Sequence, residues 1–183
     1  MKKMIAMLLA LCCIVFCCLS LAEDYLYTTA EPLESEDYIL TLPENTRYKL
    51  TDKVSGIEFM KFFPYSSEGQ VRENVQMAWY GHPLEVTTKD VDKYWQANRT
   101  AVLKSLQDSG IRAKSFLSER AYDATLCGQP CIIINHKMFD GLFYTHLRTI
   151  YFTQQGYHLT ITAVSEENIQ KITDFIDAAL TWK

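Results

Sequence analysis

Two groups of residues in this 183-residue sequence have the types and spacing to do chemistry. The first is Cys127-Gly128-Gln129-Pro130-Cys131. A redox centre usually shows Cys-x-x-Cys opening a helix. Here three residues separate the cysteines, and both flanks read as strands. Gly128 and Pro130 make a tight reversal that can bring the two Cα atoms within the ~4.4–6.8 Å a disulfide needs. A structural disulfide between Cys127 and Cys131 is therefore expected in an oxidising compartment. The loop it closes is short, so its stabilising effect is modest. The second group is Asn135, Tyr144, His146, Arg148, Thr160 and Thr162, polar side chains within an otherwise apolar stretch. His146 with Arg148 and Asn135 could bind an anion or polarise a carbonyl. No acidic residue falls beside them in the expected register to orient the imidazole, which weakens a catalytic triad.

That register comes from turn chemistry. Cys131–Phe139, Leu142–Thr153 and Tyr157–Val164 read as a three-strand meander. Asp140-Gly141 is a type I′ hairpin signal. It pairs Phe139 with Leu142, and hence Ile134 with Leu147, Asn135 with His146, and His136 with Thr145. At the next turn, Gln154-Gln155-Gly156 with Gly156 left-handed pairs Thr153 with Tyr157. A two-residue loop is the rival, and burial patterning selects the three-residue one. One face then carries Ile132, Ile134, Met138, Phe143, Leu147, Tyr151, Leu159 and Ile161. The other carries the six candidate ligand-binding residues, mixed with Ile133 and Ile150.

The same register argues against a metal centre. His136 and His146 fall on opposite faces. His146 and His158 share a face but lie about 20 Å apart along it at ~3.3 Å per residue. With His82 far off in sequence, no two histidines meet on one zinc. His136 reads as a hydrogen-bonded core histidine. Gly-x-Ser-x-Gly elbows and Gly-rich phosphate loops are absent from the sequence, and no cofactor is expected.

Around the meander, Tyr38–Leu42, Arg47–Thr51, Ile57–Phe63 and Val75–Trp79 read as short strands broken by Pro43, Pro64 and Gly81-His82-Pro83. Val91, Tyr94, Trp95, Ala101, Val102 and Leu106 recur at helical spacing. Thr87 or Thr88 can cap that helix, and Gly110 can close it. Ile111–Tyr122 resumes strand character. Ser165 caps a last helix, with Glu166 and Glu167 in its first turn and an apolar face from Ile169 to Leu180. The fold class is α+β: an antiparallel sheet flanked by two main helices.

Residues 1–22 read as a secretory signal. Lys2 and Lys3 precede a charge-free run from Met4 to Leu19, and Ser20-Leu21-Ala22 gives a small-x-small exit. An uncleaved anchor is the rival, since a spanning helix needs about 20 apolar residues. Lipidation is a third reading, although neither cysteine pair follows a small residue. Without that segment, two of the six cysteines remain, and 16 basic against 22 acidic residues leave a net charge of −6. An acidic balance argues against nucleic acid as a partner. Residues 23–37 form an acidic lead-in with an edge strand near Tyr25–Thr28, and 38–183 form a single domain.

The order of elements, the Tyr38-Ile39-Leu40-Thr41-Leu42-Pro43 opening and the closing helix Asn168–Leu180 resemble the PsbP/DcrB-like group over about residues 36–181. That resemblance implies an antiparallel sheet between helices, an α/β/α sandwich, and a non-catalytic binding or accessory role. The expectation is an exported protein that binds an unknown protein or small ligand. It meets a membrane only through residues 1–22 if these are retained. The alternative is a hydrolase or transferase with a site around His146 and Arg148.

Overall fold

The computed structural model describes residues 26–27, 29, 31–44, 46–51, 56–60, 74–79, 88–108, 110, 113–119 and 121–183. The expected signal 1–22, His82 and Thr87 lie outside them.

Ile132, Ile133 and Ile134 are consecutive and all buried. Side chains alternate across a strand, so protein must cover both faces there. The strand concerned, β9 (Gln129–Phe139), sits inside an antiparallel sheet of nine strands among the described residues. Its neighbours on one side are β10 (Tyr144–Phe152), β11 (Tyr157–Ala163), β6 (Asn74–Trp79), β5 (Gly56–Met60), β4 (Arg47–Thr51) and β1 (Leu26–Tyr27), in that order. On the other side β7 (Ser115–Ser118) and β8 (Tyr122–Leu126) pair in turn with the two halves of β9. Of the expected strand 111–122, the described residues form β7 and the first residue of β8, with Glu119 and Ala121 in neither.

Each face has its own helix. The helix α1 (Thr88–Asp108) packs Val91, Tyr94 and Trp95 against Ile132, Ile134 and Tyr151. It closes at Gly110, which is left-handed (φ 70°) and donates its N–H to Gln107 O at 3.0 Å. On the opposite face α2 (Glu166–Ala179) packs Ile169, Ile172 and Ile176 against Ile133, Ile150, Leu159 and Ile161. Ser165 caps α2 by accepting the Asn168 N–H at 3.1 Å.

A second sheet completes the α2 layer. Leu180 does not continue the helix; it opens β12 (Leu180–Trp182), which pairs with β3 (Tyr38–Leu40), itself paired with β2 (Leu33–Glu34). The acidic lead-in is therefore partly built into the fold. Tyr157 donates its hydroxyl to the Asp37 carboxylate at 2.7 Å. Trp182 packs edge-on to Tyr38 and Phe152, with ring centroids 6.1 and 5.0 Å away, tying the small sheet to the large one.

The meander differs from the expected register at both turns. Asp140 accepts the backbone N–H groups of Leu142 (2.7 Å) and Phe143 (2.8 Å) on its carboxylate. This Asx turn makes Asp140–Phe143 a four-residue loop and pairs Phe139 with Tyr144. The slip is two residues, so the β10 side chains keep their expected faces. His136 now lies opposite Leu147, and Asn135 opposite Arg148. Phe143 sits half-exposed in the loop rather than on an apolar face. At the second turn Gly156 is left-handed, as expected (φ 74°), but Thr153 joins the loop and Phe152 pairs with Tyr157. That slip is one residue, and it turns the whole of β11 over. Leu159 and Ile161 join the α2 face, while Thr160 and Thr162 go to the α1 face. Burial patterning chose the wrong loop because β10 is apolar on both sides: Ile150, Phe152 and, partly buried, Leu147 and Tyr151.

Oxidative cross-linking tests this register. Leu147→Cys with Thr162→Cys should form a bond detectable by peptide mapping, since these positions are ladder partners. Leu147→Cys with Ala163→Cys, the pairing the shorter loop requires, should not.

Candidate functional site

Two polar clusters lie on opposite faces of β9, one sealed and one open. The sealed one is centred on Asn98, a buried residue in the apolar stripe of α1. Its Nδ2 donates to Tyr151 Oη at 3.0 Å and to Thr149 Oγ1 at 3.3 Å. Its Oδ1 lies 2.6 Å from His136 Nε2. An amide oxygen only accepts, so Nε2 carries the proton and the imidazole is the neutral Nε2–H tautomer. Nδ1 is buried with no partner among the described residues. Phe116 stacks on the ring at 5.2 Å. Burial first, and then the positive charge of Arg99, push the His136 pKa down to about 4. This matches the expected core histidine, although its partner is Asn98 on α1. A polar residue at a core-facing position of the 94–95–98–102 stripe was the signal in the sequence.

The open cluster lies on the α2 face, where β7, β9 and β10 run past the start of α2. Arg148 is only 8% exposed. Its Nε donates to Asn135 Oδ1, and its Nη1 to Gln170 Oε1 and Thr173 Oγ1, each at 2.9 Å. The guanidinium is thus held by β9 and by two successive turns of α2. Asn135 in turn donates its Nδ2 to Glu119 Oε2 at 3.2 Å. Glu119, Asn135, Lys137, His146, Arg148 and Glu166 line a shallow depression of about 40 Å³. Burial first, and then Lys137, lower the His146 pKa, while Glu166 and Glu119 pull it the other way. Carboxylates therefore do lie near this histidine, contrary to the expected register. Beyond the depression Tyr144, 49% exposed, stacks on Phe139 at 4.8 Å, with Lys137 Nζ 4.6 Å from its ring centroid.

Of the six candidate residues, Asn135, Tyr144, His146 and Arg148 share this corner. Thr160 and Thr162 do not, because the longer second turn puts them on the α1 face. The same reversal places His146 and His158 on opposite faces rather than one. Among the described residues no group of three or more histidine, cysteine or acidic side chains could hold a metal ion. Glu119, Lys137, Glu166, Gln170 and Thr173 were missed. Gln170 and Thr173 stand three apart on α2, and only the packing of α2 on β10 reveals that both reach Arg148.

No disulfide is seen between Cys127 and Cys131, where the sequence reading expects one. The reversal is at Cys127-Gly128, with φ of 51° and 69°, the I′ signature, rather than around Pro130. Ala124 is the ladder partner of Cys131, and Cys127 occupies the turn itself. The backbone N–H of Cys127 donates to the Asp177 carboxylate, and its thiol lies 3.5 Å from Ile176 O. Burial first, then the Asp177 carboxylate, push the Cys127 thiol up to about 12 and the Cys131 thiol to about 11.

No protein-family model matches the chain, and no curated protein matches it in sequence. No helix among the described residues is long and apolar enough to cross a membrane.

The folded pKa of His136 is depressed, from 6.5 to about 4, so the unfolded chain binds the proton more readily. Its contribution to stability is complete above pH ~6.5 and is lost progressively down to pH ~4, amounting to about 3 kcal/mol. Urea denaturation at pH 7 and 4.5 should show the loss. His136→Gln, which keeps a donor toward Asn98, should flatten it. Equal pH slopes in both proteins would remove His136 as the cause. The raised thiol pKa values predict that Cys127 and Cys131 alkylate far more slowly at pH 8 in the folded protein than in urea. Rapid labelling of the folded form would contradict these environments.

Proposed function

We propose that the chain is an exported, non-catalytic binding or accessory protein, and that its ligand or partner meets the sheet end formed by β7, β9 and β10 beyond α2. The observation that carries this reading is a buried guanidinium at the floor of an open polar depression, beside an exposed tyrosine. Leu142, 81% exposed, and the half-exposed Phe143 extend the apolar surface at the β9–β10 loop. Exposed aromatic side chains grouped around desolvated polar ones mark binding surfaces. Export rests on the leader-like residues 1–22. The sheet between two helices, and the absence of a catalytic motif from the sequence, support a kinship with the PsbP/DcrB-like group and its non-catalytic roles.

A second reading makes His146 a general base in a hydrolase or transferase. The nearness of Glu119 and Glu166 to its imidazole favours it. No hydrogen bond fixes the ring among the described residues, which favours the binding reading.

A photo-cross-linking side chain at Tyr144, with one at exposed Lys104 on α1 as the control, separates the readings in the extracytoplasmic compartment of the source cell. A reproducible adduct from Tyr144 alone is expected. Adducts equal at both positions, or turnover of an ester, phosphoester or peptide substrate abolished by His146→Ala, would overturn the proposal.

A further inference from the structure

We infer that the depression beside Arg148 takes the carboxylate and ammonium of a zwitterionic small molecule, a free α-amino acid. The inference rests on the reading of this corner as a binding surface and adds the class of ligand.

The argument starts from an unbalanced charge. Arg148 is nine-tenths buried, yet its three protein partners, Asn135, Gln170 and Thr173, are all neutral. Burying a guanidinium away from water is costly unless an anion and further hydrogen bonds compensate it. Its Nε and Nη1 are committed, which fixes the plane of the group. Its Nη2 has no partner among the described residues, and Arg148 lines the depression. With Nε–H and both Nη1 hydrogens engaged, Nη2 is the donor left for a carboxylate, on a group whose orientation its neighbours fix.

Two carboxylates already stand at the rim, and neither is paired with it. Glu119 is engaged by Asn135 Nδ2. Glu166 begins α2 and is exposed. With Lys137 and Arg148, the lining has two formal charges of each sign. A phosphate would set its negative charge against Glu119 and Glu166. A simple cation would face the guanidinium. Like charges brought together in a partly desolvated site oppose binding. A molecule with both charges a few ångströms apart meets complementary groups, its carboxylate at Arg148 and its ammonium at Glu119 and Glu166. The depression is small, about 40 Å³, which suits a head group better than a whole ligand. The ligand's side chain would lie outside, toward Tyr144.

Amide-resolved NMR titration of the purified protein tests this, with the standard L-amino acids taken singly, and with acetate, methylammonium and inorganic phosphate as single-charge probes. Saturable shifts at Asn135, His146, Arg148 and Glu166 are expected with one or more amino acids. Acetate and methylammonium should bind at least about tenfold more weakly, the factor one charge-assisted hydrogen bond supplies. Arg148→Lys, which keeps the buried charge but loses the Nη2 donor, should weaken amino-acid binding by a similar factor with the rest of the spectrum unchanged. Glu119→Gln with Glu166→Gln should weaken amino acids and strengthen acetate. Acetate or phosphate binding as tightly as the best amino acid would overturn the zwitterion and leave the surface as a binding site. If no probe shifts these amides, the ligand class is wrong, and the cross-links at Tyr144 decide the wider reading independently.

Discussion

Ile132, Ile133 and Ile134 are buried in succession on β9, and this two-sided burial governs the rest of the molecule. Even-numbered positions of β9 must meet one cover and odd-numbered positions another. The covers are α1 and α2, which approach from opposite sides. Once β9 is committed, ladder pairing sends alternate residues of β10 and β11 to the same two layers. The α2 layer holds the larger core, joining Tyr38, Leu40 and Leu180 of the small sheet to the strands. The α1 layer holds the smaller apolar cluster and the Asn98 network. Burial of those polar groups is tolerable because the asparagine satisfies three partners at once.

The two helices, the left-handed closure at Gly110, the Ser165 cap and the antiparallel meander were legible because each rests on local chemistry within a few residues. The meander's register was not. Asp140 uses its carboxylate to hold two backbone N–H groups, so the Asp-Gly pair opens a longer loop than its residue types suggest. Thr153 joins the second loop, and nothing in β10 objects, since both its faces are apolar. The two errors differ in consequence. A slip of two left Asn135, His146 and Arg148 on one face, so the candidate corner survived. A slip of one removed Thr160 and Thr162 from it. The β12 strand escaped notice because Leu180 also fits the helical spacing, and three residues show no period of their own. Acidic composition concealed the lead-in, although Leu33 and Asp37 bind it to the body.

Arg148 and Asn98 solve related problems by different means. Each brings a polar group into an apolar layer and ties a helix to the sheet. Asn98 is neutral and closed on all sides, so it works as a directional link that specifies how α1 docks. Arg148 brings a full charge that its protein partners hydrogen-bond without neutralising. The α2 layer therefore combines stability along most of its length with an electrostatic deficit at one end.

Asn98 has one further consequence, which concerns where this chain can be made. Asn98-Arg99-Thr100 is an Asn-x-Thr acceptor sequence for N-linked glycans. Such acceptors are used when they lie at the surface, and here the amide nitrogen is turned inward onto Thr149 and Tyr151. A cell that glycosylates nascent chains during translocation would reach this amide before α1 has docked. The sugar would then occupy the seam between helix and sheet, and His136 would lose its partner. Production by a secretory route without that modification, or with Thr100 replaced, avoids the conflict.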